Sequence, residues 1–194
     1  MTMTEYSYEL KIPKERVAVL IGKNGEIKKY LEEQTKTRIQ VDSAEGDVFV
    51  YGEDALSLFT LREIIRAIGR GFNPDIATLL LHSDYGLEIL DLQEYASGRN
   101  HFLRLKGRVI GSEGKSRRTI EELTETYISV YGKTISIIGP VENLALARRA
   151  VDSLLEGSPH ANVYKWLEGK RRDLKHSDMM MQAQKRETPN GEQK

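Results

Sequence analysis

Apolar and polar residues alternate over Tyr6–Ile12, with Tyr6, Tyr8, Leu10 and Ile12 on one side. This predicts a strand ended by Pro13. The period then lengthens. Val17, Leu20 and Ile21 predict a short helix over Glu15–Ile21, and Ile27, Tyr30 and Leu31 a second over Glu26–Gln34. Alternation returns over Arg38–Asp42 and Asp47–Tyr51. A stripe of Leu58, Leu61, Ile65 and Ile68 predicts a long helix over Asp54–Gly69. The second half repeats this order. Tyr85–Leu92 reads as a strand, and His101–Ile110 as a helix with Phe102, Leu105 and Val109 inward. Lys115–Thr124 is the next helix, and Tyr127–Tyr131 and Thr134–Ile138 are strands joined at Gly132-Lys133. Val141–Leu155 closes the unit as a helix. Asn73–Leu81, with Pro74 near its first position, reads as a connecting helix. Beyond Gly157–Pro159, Asn162–Lys175 predicts one more helix, and Ser177–Lys194 lacks the periodicity to hold a fixed structure.

The two halves also share residues. Leu20-Ile21-Gly22-Lys23-Asn24-Gly25 and Val109-Ile110-Gly111-Ser112-Glu113-Gly114 carry the same Ile-Gly-x-x-Gly core, 89 residues apart. The same offset lays Thr35–Val41 on Thr124–Val130. Val48–Gly52 then matches Ile135–Gly139 at 87, a slip that falls in the polar stretch Asp42–Asp47, where a strand connection varies freely. Matching blocks at one spacing mark a duplication. The expected fold is α+β, with one unit over residues 1–72, a connecting helix over 73–83 and a second unit over 84–158. A basic helix over 159–176 and a flexible tail over 177–194 follow.

At 194 residues, 39% hydrophobic and 30% charged, the chain can build two modest cores. It has no cysteine, which excludes disulfides and thiol catalysis. No signal-like or spanning apolar run stands out, and a cytoplasmic location is expected. Net charge is zero, yet the distribution is uneven. Residues 99–118 hold seven Lys or Arg against Glu113 alone, whereas residues 72–98 hold five acids and no Lys or Arg. A local basic patch is the footprint of phosphate contact.

That patch surrounds the second glycine loop. Glycines let the chain turn sharply and let another backbone approach, and a helix starting directly after them offers its N–H groups to an anion. Gly114-Lys115-Ser116 is not a P-loop, because the position five residues before Gly114 is Val109 rather than glycine. His82, His101, His160 and His176 have no metal-ligand spacing, and no catalytic constellation, metal site or cofactor is expected.

With these residues in hand, the chain resembles the KH family of RNA-binding modules. The carriers are Val17–Gly25 and Arg108–Lys115, in the strand-helix-helix-strand-strand-helix order of the eukaryotic-type (type I) arrangement. The resemblance implies that Gly22, Lys23, Asn24, Gly25 and Gly111, Ser112, Glu113, Gly114 clamp RNA backbone, while about four unstacked nucleotides lie in a groove. By their charge and place, Lys23, Arg108, Lys115, Arg117 and Arg118 are expected to supply phosphate contacts, with Arg104 and Ile110 also at the RNA site. Arg38 and Ile128 stand on the strands that wall the two grooves. More closely, residues 5–175 resemble the two-KH small-subunit ribosome-assembly factors of archaea, whose eukaryotic relatives are called partner of NOB one. The job implied is to bind single-stranded RNA at the 3′ region of small-subunit rRNA, in pre-ribosomal particles and beside a maturation endonuclease. In eukaryotic members the first loop is degenerate, whereas here Gly22–Gly25 is intact, so the first module serves either RNA or protein. A KH adaptor for mRNA or exosome-type decay, and a scaffold with vestigial KH folds, are the alternatives.

Overall fold

The computed structural model describes residues 6–187. In its first unit β1 (Tyr6–Lys11), β2 (Arg38–Asp42) and β3 (Asp47–Gly52) form an antiparallel sheet in the order β1-β3-β2. Over one face lie α1 (Lys14–Ile21), α2 (Glu26–Thr35) and α3 (Ala55–Gly69). The second unit repeats the plan. It pairs β4 (Tyr85–Asp91), β5 (Tyr127–Tyr131) and β6 (Thr134–Pro140) in the order β4-β6-β5, under α5 (Arg99–Ile110), α6 (Lys115–Thr124) and α7 (Val141–Leu155).

The local causes are repeated along with the elements. α3 begins where the Asp54 carboxylate accepts from the Ser57 N–H at 2.8 Å, an N-cap that precedes the buried stripe Leu58, Leu61, Ile65 and Ile68. α2 and α6 end on left-handed residues, Lys36 at φ 50° and Glu125 at φ 55°. The next residues are Thr37 and Thr126, whose hydroxyls meet those of Thr35 and Thr124. Thr35 and Thr124 in turn bond back to the carbonyls of Leu31 and Ile120, both at 2.7 Å. A buried hydroxyl needs such a partner, so the Thr-x-Thr pattern shared by the two halves is a helix-to-strand joint.

α1 and α5 are pinned differently. Arg16 donates to the carbonyls of Ile68 and Phe72 at the end of α3, and Arg108 to those of Leu154 (2.7 Å) and Ser158 (2.6 Å) at the end of α7. Carbonyls at a helix end run out of ladder partners; Ile68 O and Leu154 O also accept from the turn N–H groups of Gly71 and Gly157, and each arginine adds a charged donor that closes the helix C-terminus. The two positions do not correspond at the 89-residue offset, since residue 105 is the buried Leu105. The same job is done one helical turn apart.

Two elements differ from expectation. Asn73–Leu81 is not one helix: a single turn, α4 (Pro74–Ala77), passes into a tight 3₁₀ turn over Thr78–Leu81. Its 120° steps spread Leu79, Leu80 and Leu81 against both α3 and the second sheet. The last helix, α8 (His160–Glu187), continues beyond Lys175, where its end was expected. Nothing between Ser177 and Glu187 is a glycine or proline, and Met, Gln, Ala and Lys sustain a helix without an apolar stripe. Residues 188–194 of the expected tail lie outside the described residues.

The sheets are used unequally. Cross-strand partners share a face, so Leu87 and Ile89 of β4, Ile138 and Ser136 of β6, and Tyr127 and Ser129 of β5 line the face of the second sheet that is turned away from its own helices. The first unit covers part of this face. Ile138 is fully buried and belongs to the first unit's core, together with Leu58, Ile65 and Leu80. The Ser129 hydroxyl donates to Arg70 O at 2.9 Å, and Tyr131 donates to Glu15, with Arg16 over its ring. Gly71 approaches so closely that a Cβ there would lie 2.7 Å from Ser129 Oγ and 2.8 Å from Tyr131 Cβ. In the first sheet the same face holds exposed Ser7, Glu9, Lys11, Arg38 and Gln40 around half-buried Phe49 and Tyr51.

Candidate nucleic-acid interface

The two glycine loops are conformational copies. Gly22 sits at φ 75°, ψ 175° and Gly111 at 72°, 177°; Gly25 at 79°, 14° and Gly114 at 75°, 12°. Between them Asn24 (54°, 24°) and Glu113 (52°, 28°) are left-handed. The first glycine of each loop occupies a region open to glycine alone. There is no room for a side chain either: a Cβ on Gly22 would lie 2.5 Å from Ile27 Cγ1, and one on Gly111 2.6 Å from Ser116 Cβ. The second glycines have space, with only Lys29 Cε (4.0 Å) and Arg118 Nη1 (3.7 Å) near the position of a Cβ. Those two cations correspond at the 89-residue offset. Lys29 was not among the residues expected from sequence, and the offset from Arg118 would have found it.

Neither α2 nor α6 has a side-chain cap on its first N–H groups. The first N–H of each, on Glu26 and Lys115, donates to a loop carbonyl, of Lys23 and Ser112, and no side chain caps the N–H groups that follow; a helix N-terminus of this kind, beside a loop that lacks Cβ bulk, favours an anionic oxygen. Lys23, Asn24, Ser112, Glu113, Lys115 and Arg118 are exposed around the loops, as is Arg104 on α5. Ile110 is 36% exposed at the end of that helix. Ser116 is buried beside Gly111 with its hydroxyl unpaired among the described residues.

Three expected site residues stand elsewhere. Ile128 is 3% exposed and faces the core, because alternation gives the inward side of β5 to Ile128 and the outward side to Tyr127, which is 42% exposed. Arg108 donates from its guanidinium to Leu154 O and Ser158 O, which ties it to the C-terminus of α7. Arg38 is exposed on the face of the first sheet opposite the helices, away from the Gly22–Gly25 loop.

Beside α6, the open edge of β5 forms the wall of a cleft of about 400 Å³, lined by Arg117, Glu121 and Tyr127–Tyr131. Its other side comes from the first unit: Gly71, Phe72, Asn73 and Ile76. Glu121 accepts the outward Ile128 N–H at 2.7 Å, just as Glu32 accepts that of Ile39 at 2.7 Å. The period of two then turns the N–H and C=O of Val130 outward into the cleft. Burial pushes the Glu121 carboxyl above its ordinary range, against the opposing pull of the Ile128 N–H and of Arg117, whose Nε lies 3.6 Å away. Space enough for a base, an unsatisfied strand edge and the basic helix that follows the glycine loop thus adjoin one another. The sequence indicated the strand and the loop but not Glu121, Tyr127 or the contribution of Gly71–Ile76, because no local period links residues 71 and 127.

Paired three-stranded sheets, each with a left-handed Gly-x-x-Gly turn opening a helix, define tandem type I KH domains. Residues 86–172 match a family model described as "Eukaryotic type KH-domain (KH-domain type I)", and residues 7–67 match one described as "KH domain". The chain belongs to the two-KH-domain family that includes archaeal Dim2p and eukaryotic PNO1. It is 50% identical over 172 residues to the KH domain-containing protein MJ0443 of Methanocaldococcus jannaschii, covering 87% of this chain and 75% of that one. It is similar to a structure of Pyrococcus horikoshii OT3 described as an a/eIF2alpha-aDim2p-rRNA complex, with a TM-score of 0.83 and 41% identity over 89% of this chain and 97% of that chain. The pre-rRNA-processing protein pno1 of Aspergillus fumigatus is 30% identical over 139 residues, which span 70% of this chain and 55% of that relative.

Proposed function

We propose that this protein binds single-stranded RNA and serves in small-subunit ribosome assembly, holding the 3′ region of the rRNA or its precursor for trimming by a separate endonuclease. The observation that carries this reading is the Gly111–Gly114 turn. It opens α6, which has no side-chain cap, with Lys115, Arg118 and Arg104 exposed, and Arg117 and Glu121 of the same helix line a cleft large enough for a base at the edge of β5. The relatives named for rRNA and pre-rRNA processing support the choice of RNA. Residues 1–72 and 84–158 act as the two modules, in the cytoplasm, without catalysis or cofactor of their own. The second module contributes most of the affinity, because its loop lies in the basic stretch while the first loop is followed at once by Glu26.

Fluorescence anisotropy with single-stranded and duplex RNA of equal length is the first test. Preference for the single strand and a log–log salt slope of roughly −2 to −3 are expected, the latter from three or four neutralised phosphates. Gly114→Asp should weaken binding more than Gly25→Asp. A salt-independent affinity or a preference for duplex contradicts the reading. Crosslinking in cells should concentrate near the 3′ end of small-subunit rRNA, and crosslinks confined to mRNA would favour the adaptor alternative.

A further inference from the structure

The seam between the two units is not filled at its outer end. There a cleft of about 470 Å³ opens between α3 and the start of α7. One wall is the row Leu56, Phe59, Thr60 and Glu63, at i, i+3, i+4 and i+7 on α3. The other wall includes Leu144 beside the exposed Val141, and Leu80, Tyr85 and Leu87 form the floor. Leu56 is 72% exposed, Phe59 49% and Val141 57%, whereas the opposite face of α3 is core. Scattered exposed apolar residues are ordinary; a row of them flanking a concave apolar floor marks a contact surface. The floor is continuous with the interface already present in the chain, since Leu80, Tyr85 and Leu87 pack on the first unit's core. At the ~150 Å³ that holds one benzene, the cleft has room for about three such groups.

Charge narrows the occupant. No Lys or Arg lines the cleft. Glu53 and Asp54 stand at the entry to α3, Asp84 precedes the floor and Glu142 follows Val141. The Glu63 carboxylate is held by Arg66 at 2.8 Å and Asp54 by Ser57, whereas Glu53, Asp84 and Glu142 have no ion-pair partner among the described residues. An acidic rim repels RNA phosphate and attracts basic protein.

We propose that this cleft docks a basic amphipathic α-helix of a partner protein, with apolar side chains at i and i+3 or i+4 entering between Phe59 and Val141 and flanking Lys or Arg meeting Glu53, Asp84 and Glu142. Laying an apolar helical stripe into a groove is an established recognition mode. The surface is separate from the glycine loops, so the proposal stands or falls apart from RNA binding.

The test places the photo-crosslinker p-benzoylphenylalanine at position 59 of the full chain in cells, with the crosslinked segment mapped by mass spectrometry. The expected product is a protein helix rich in Lys and Arg, with apolar residues at three- or four-residue spacing. Its yield should fall at least ~5-fold when Glu53→Lys and Asp84→Lys are added, as loss of charge complementarity predicts. Binding of single-stranded RNA and the melting temperature should be unchanged by the same pair, which is exposed, so a lost crosslink reports on docking rather than folding. A synthetic peptide of the mapped segment should bind the purified chain and be displaced by salt. Crosslinks to RNA or to a second copy of this chain, a mapped segment without basic residues, a yield indifferent to the charge reversals, or no crosslink would each overturn the proposal.

Discussion

Each Gly-x-x-Gly turn asks different things of its two glycines. Gly111 combines a backbone open to glycine alone with a site where a Cβ would strike Ser116 Cβ and backbone N. Gly114 needs only a left-handed backbone and has open space. Gly111→Ala should therefore destabilise by about 2–4 kcal/mol, and Gly114→Ala by about 1 kcal/mol, a difference that thermal or urea denaturation resolves. For that reason Gly114, not Gly111, is the position at which to test RNA binding without disturbing the fold. Glu121 sets a pH dependence at the same scale. Burial raises its folded value, so protonation favours the folded state; that contribution is full below the ordinary glutamate range near pH 4 and is lost as pH rises through the raised value. Glu121→Gln should thus melt higher than the wild type at pH 7, with the gap closing toward pH 4 in matched melting curves.

At the scale of elements, the strand and helix order was legible because the periods are strong and breaks such as Pro13, Gly132-Lys133 and Gly157–Pro159 punctuate them. What escaped the sequence were facts without a local signature. Alternation placed Ile39 and Ile128 on one face of their strands but could not say that this face is the core. Charge alone put Arg108 at the phosphate, while its hydrogen bonds put it at the end of α7. The two roles separate experimentally. Arg108→Ala should cost about 2–3 kcal/mol of stability, for two carbonyls left without a charged donor. Arg118→Ala should leave the melting temperature within about 1 °C and weaken RNA binding several-fold, with a salt slope shallower by about one. An Arg108→Ala protein of unchanged stability and lost affinity would return Arg108 to the phosphate.

At the scale of the molecule, the two units share apolar surface rather than hanging on a linker. Ile138 is counted among the first unit's buried residues, and Tyr131 and Ser129 bond across the seam. The chain should unfold in one cooperative transition by calorimetry. Ile138→Ser should lower that single midpoint by several degrees, at about 2–3 kcal/mol for the lost burial. Two resolved transitions, with only the second unit affected, would show that the seam does not couple them. The repeat itself was plain in the sequence, but the arrangement of its copies was not, since the 89-residue offset says nothing of which face meets which.

That arrangement has a geometric consequence. The second unit lays the back of its sheet on the first, a contact between unlike surfaces of two like bodies, and such a contact does not close on itself. The first unit's own sheet back is the place where a third copy would sit, and so on without limit. Side chains end the series. Where the second unit presents Leu87, Ile89, Ser136 and Ile138, the first presents Ser7, Glu9, Phe49 and Tyr51 at the matching register positions. Polar groups thus stand where apolar floor would be needed, and Gln40 and Asp42 take the places of Ser129 and Tyr131, against which the backbone of Gly71 draws close. The chain is a two-member stack with one terminus sealed by substitution, which allows a duplicated module to remain a single molecule rather than the first links of a fibre.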